Sequence, residues 1–79
     1  MSTGQPKNVI PVAEHPLTNR EHEVLYLMAE GLTTNAIAGR LHITFKTVAC
    51  HRARILTKLG VRSTVGAVRW AIRAGLIEP

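Results

Sequence analysis

The chain contains no aspartate and only one cysteine, Cys50. One cysteine closes no internal disulfide, which excludes the stapled scaffolds of small secreted proteins and points to a reducing cytoplasm. Tyr26, Phe45 and Trp70 are the only aromatics, so the core is expected to be aliphatic, which favours helices packed through Leu, Ile, Val and Ala. No apolar run approaches the roughly 20 residues that cross a bilayer. The opening MSTGQPKNVIPVAEH lacks the basic start and apolar stretch of a secretory signal, and the reading is a soluble, cytoplasmic protein. The sequence has neither a Ser-His-acid set spaced for catalysis nor a glycine-rich phosphate loop, so an enzyme is not expected. His15, His22, His42 and His51 stand at no ligand spacing with Cys50, so neither metal nor cofactor is expected. With 79 residues there is room for one small domain.

What is present is positive charge, unevenly placed. Ten Lys and Arg against five Glu give +5 at pH 7. Four of the acids, Glu14, Glu21, Glu23 and Glu30, precede residue 31. Arg40, Lys46, Arg52, Arg54, Lys58, Arg62, Arg69 and Arg73 then follow without an acid until Glu78. The C-terminal two thirds is a cation, and its natural partner is an acidic polymer.

Residues 1–15 show no sustained periodicity and contain Pro6 and Pro11, so they read as a flexible arm or linker ahead of a domain over 16–79. Thr18 with Glu21 three residues later forms a capping-box pattern after a possible staple at Leu17, and predicts a helix over 19–30 with Val24, Leu25 and Met28 on its inner face and Gly31 as its exit. Thr33 caps a second helix over 34–41, with Ile37, Ala38 and Leu41 turned inward. After His42-Ile43-Thr44, Thr44 caps a third helix over 45–59 by accepting from the amide of Lys46 or Thr47. Ser63 caps a fourth over 64–74, burying Ala67, Val68, Ala71 and Ile72. The fold class is all-α: a four-helix bundle with a central helix-turn-helix.

At about 100° per residue, Val48, Ile55, Leu56 and Leu59 occupy the core side of the third helix with Arg52 at their edge. Lys46, Ala49, Cys50, Ala53, Arg54 and Thr57 fall opposite, flanked by Thr47, His51 and Lys58. Two helices joined by a short turn, the second presenting small residues framed by cations, meet the requirements of a DNA-reading helix-turn-helix.

From Leu17 to Ile77 the chain also resembles the LuxR/NarL-type (GerE-like) DNA-binding domain of bacterial transcription regulators. The resemblance is carried by LTxRExxVL at Leu17 to Leu25, AEGLTxxxIAxxL at Ala29 to Leu41, IT-x-x-TV-x-x-H at Ile43 to His51 and I-x-x-KLGVRS at Ile55 to Ser63. It implies that the third helix docks in the major groove and that the fourth pairs two copies. Thr44, Lys46, Thr47, His51 and Lys58, with Asn35 on the second helix, are then the phosphate-contact candidates. Ala49, Cys50 and Ala53 match the family's base-facing positions, and Arg54 joins them as a base reader. Relatives often carry a longer polar or cationic residue where Ala49 stands, and a Lys-Glu pair where this chain has Asn35-Ala36. The first departure points to modest base reading by each copy, and the second alters one phosphate contact and one surface ion pair of the family pattern.

The resemblance further implies a homodimer on double-stranded DNA, with Val65, Arg69 and Trp70 as candidate seam residues. Most relatives carry an N-terminal receiver or ligand-binding domain, so the chain is expected to be either a stand-alone regulator or the output domain of a longer one. Two alternatives use the same residues: a protein-interaction module whose last helix binds a regulator or RNA polymerase, and a sigma-factor region 4. Glu21 is expected to cap its helix or pair with Arg20 or Arg40. Trp70 is divided between the core edge and a partner. Membrane binding is disfavoured, because no helix sets a broad Leu/Phe face opposite its cations.

Overall fold

The computed structural model describes residues 17–77, and the arm expected over 1–15 lies outside them. Among the described residues are four helices and no strand: α1 (Asn19–Ala29), α2 (Thr34–Leu41), α3 (Phe45–Leu59) and α4 (Thr64–Arg73). Each starts where a hydroxyl can replace a missing intrahelical partner. Thr18, Thr33, Thr44 and Ser63 accept from the amides of Glu21, Ala36, Thr47 and Gly66, respectively. At α1 the exchange is reciprocal, because the Glu21 carboxylate accepts from the Thr18 amide at 3.0 Å, completing the capping box. The expected ends of α1 and α4 move back by one residue: Glu30 and Ala74 are the C-caps of these helices.

The α2–α3 turn is made by an unexpected residue. His42 adopts φ 61° and ψ 41° and donates its amide to the Ala38 carbonyl, a left-handed helix ending usually given to glycine. Ile43 donates to the same carbonyl at 3.1 Å and packs against the core. One left-handed residue therefore redirects the chain between the two helices.

The core contains Val24, Leu25, Leu27, Met28, Ile37, Ala38, Val48, Ile55, Leu59, Ala67, Ala71 and Ile77. It is aliphatic, as the shortage of aromatics requires. α3 packs against each of the other three helices. Ala67 and Ala71 are wholly buried on α4, and their small size lets that helix lie close. Val68 and Ile72, expected to be buried with them, are half-buried. Trp70, placed nearer the outer half of α4 by the sequence pattern, is also half-buried and packs against the core.

Polar ties among the described residues cross the bundle. The Lys58 ammonium donates to Glu21 Oε1 at 2.7 Å, joining α3 to α1. Glu21 therefore pairs with neither Arg20 nor Arg40, the partners expected from sequence; Arg20 instead meets Glu23 at 3.2 Å. Arg52 donates through Nη1 to Thr34 Oγ1 at 2.6 Å and through Nη2 to Thr64 Oγ1. One guanidinium thus holds the first residues of α2 and α4 to the middle of α3. No helix among the described residues is long and apolar enough to cross a membrane.

Candidate nucleic-acid interface

α3 turns one side to the core and leaves the other open. Val48, Ile55 and Leu59 are buried. Lys46, Thr47, Ala49, Cys50, Ala53, Arg54 and Thr57 are exposed, as the helical spacing predicts. The three acids of the described segment, Glu21, Glu23 and Glu30, lie on α1 or at its end. The open side of α3 therefore combines small residues with two exposed cations, Lys46 and Arg54, and carries no carboxylate.

Its leading end carries the partial positive charge of a helix start. A helix start leaves its first amides without intrahelical acceptors and concentrates partial positive charge there. Thr44 Oγ1 takes the Thr47 amide at 3.1 Å and lies 2.9 Å from Thr47 Oγ1. This pair fixes two hydroxyls beside the Phe45 and Lys46 amides. Asn35, near the start of α2, is exposed as well.

The flank expected to support phosphate binding is structured differently. Lys58 is half-buried and its ammonium is engaged by Glu21. Burial alone would push the Glu21 carboxyl pKa up. Hydrogen bonds from Lys58 and the Thr18 amide, with the positive fields of Lys58 and His51, outweigh that effect and hold it below the ordinary value. His51 is half-buried, and its Nδ1 is enclosed without a hydrogen-bond partner. His51 and Lys58 thus lie on the α1 side of the helix, facing Glu21.

Arg52, placed by the sequence reading only at the edge of the core side, proves to be the brace behind the face. Its Nε is enclosed without a partner, while its two terminal nitrogens serve the threonines of α2 and α4. The available signal was an arginine on the apolar side of α3 combined with a threonine at the first position of both α2 and α4. On α4, Val65 is 65% exposed and Arg69 is exposed, which leaves these two candidate seam residues open while Trp70 is shared with the core. No group of three or more His, Cys, Asp or Glu among the described residues could hold a metal ion.

Comparison with known proteins bears on this arrangement. The family model described as "Bacterial regulatory proteins, luxR family" matches residues 15–71. The "Uncharacterized response regulatory protein YgeK" of Escherichia coli (strain K12) is 42% identical over 64 residues, covering 81% of this chain and 44% of that protein. The "Response regulator protein VraR" of Staphylococcus aureus (strain Mu3 / ATCC 700698) is 45% identical over 62 residues, covering 78% of this chain and 30% of that protein. Among solved structures, the response regulator ChrA of a heme-sensing two-component system superposes with a TM-score of 0.74 at 32% identity, over 92% of this chain and 33% of that one. The chain spans less than half the length of each of these three relatives.

Proposed function

The chain belongs to the luxR family of bacterial regulatory proteins, and from that premise we propose that it binds double-stranded DNA with the exposed side of α3 in the major groove, as a transcription regulator or the output domain of one. The observation that carries this reading is the acid-free outer side of α3, braced from behind by the other three helices. Small side chains at Ala49, Cys50 and Ala53 let the helix approach base edges, and Arg54 reaches further toward them. The Phe45 and Lys46 amides and the Thr44 and Thr47 hydroxyls receive a phosphate at the leading end. Lys46 carries the main exposed countercharge there, and Asn35 adds a contact from α2. Lys58 and His51 contribute less, because Glu21 already offsets the Lys58 ammonium and His51 is half-buried.

These contacts position the helix more than they select sequence. Two copies on half-sites one helical turn apart supply the remaining affinity and selectivity, joined through Val65 and Arg69 with the exposed edge of Trp70. Such a protein works in the cytoplasm, with RNA polymerase as its eventual neighbour.

The test is an NMR titration of the labelled chain with duplex DNA at two salt concentrations. Shift changes concentrated at residues 44–57 and an affinity that falls steeply with salt are expected. Changes confined to α1 or α4, with α3 silent, would overturn the assignment in favour of a protein-interaction module.

A further inference from the structure

The open side of α3 holds one side chain that neither the cation contacts nor the cap explains. Phe45, the first residue of the helix, is 57% exposed. Ala49 and Ala53 follow at four-residue spacing, which sets the three along one stripe, and both are exposed. The stripe is apolar throughout and is bordered by the exposed cations Lys46 and Arg54. It begins beside the Thr44 and Thr47 hydroxyls, at the end where a recognition helix brings its first residues to base edges.

The chemistry of this stripe differs from hydrogen-bond reading. Ala49 and Ala53 offer no side-chain donor or acceptor, and neither does Phe45. In the major groove, thymine alone among the four bases presents a methyl group, and apolar side chains recognise it by contact. Both cations lie on the outer side of the stripe, where they complement the phosphates that flank such a base. Resting on the DNA-binding reading above, we propose that Phe45, backed by Ala49, selects thymine by packing its ring against the C5-methyl group at the edge of the half-site nearest the start of α3. The two alanines keep the helix close to the groove floor, and Phe45 is the large side chain that fills the remaining gap.

The experiment uses the full chain and duplexes recovered from a randomised pool, first with the wild-type protein and then with Phe45→Ala. At the positions where the wild type selects thymine, each thymine is replaced by deoxyuridine, which removes the methyl and nothing else. Wild-type affinity is expected to fall about fourfold at the Phe45-dependent position, the worth of burying one methyl-sized group. Phe45→Ala is expected to bind the two duplexes equally, and Phe45→Leu to retain discrimination. Helicity measured by circular dichroism checks that the variants are folded. Equal wild-type affinity for the thymine and deoxyuridine duplexes overturns the proposal, as does a Phe45→Ala variant that keeps the full discrimination. In both cases salt-dependent DNA binding survives, whereas absence of all duplex binding removes the underlying reading as well.

Discussion

Glu21 and Lys58, 37 positions apart in the chain, meet at 2.7 Å across the α1–α3 seam. The same Glu21 oxygen accepts from the Thr18 amide, so one nearly inaccessible carboxylate both closes the start of α1 and clasps the helix proposed to meet DNA. The folded state holds this carboxyl below its ordinary pKa. Its ionised form therefore favours folding above the unfolded glutamate pKa of about 4.3, and that contribution is lost as pH falls through the lower folded value. Urea midpoints followed from pH 7 downward should decline in that acid window for the wild type. They should start lower and decline less for Glu21→Gln.

Three cations near α3 separate by the same measurement combined with DNA titration. Lys58→Ala leaves Glu21 buried without its ammonium. It should cost about 1–3 kcal/mol, less than a wholly buried pair because Lys58 is part-exposed. Lys46→Ala and Arg54→Ala should each change stability by less than about 0.5 kcal/mol. Lys46→Ala should weaken binding on every duplex and reduce the log-log salt slope by about one.

Arg52 provides a test of bracing without contact. Arg52→Ala removes its hydrogen bonds to Thr34 and Thr64 and should cost about 2–3 kcal/mol, in the range for bonds made by a charged donor. DNA affinity should fall in parallel, measured near the lowered midpoint, while the salt slope stays at its wild-type value because no phosphate contact has been removed.

Gly39 lies within α2, and a Cβ added there would meet nothing within 4 Å. Gly39→Ala should therefore raise stability by about 0.5–1 kcal/mol through helix propensity, seen as a higher midpoint with unchanged DNA affinity.

The helix spans were readable because each begins at a hydroxyl with its acceptor role set by local spacing, and because the apolar positions recur with helical period. Lys46, Ala49, Cys50, Ala53, Arg54 and Thr57 were placed on the open side of α3 for the same reason. The features that escaped depend on which helices touch. Glu21 and Lys58, or Arg52 with its two threonines, are joined only after packing, and no periodicity reports such pairs. His42 escaped because its left-handed conformation belongs by default to glycine. Trp70 was ambiguous because its large ring can be shared between core and surface.

The acids of the described residues gather on α1, while exposed cations line the far side of α3. Among the described residues, that separation sets the acids on one side and the exposed cations of α3 on another. In the negative potential around a duplex the molecule should be rotated into a binding orientation before any contact forms. Encounters then become productive more often than random tumbling would allow, and added electrolyte removes this advantage by slowing association.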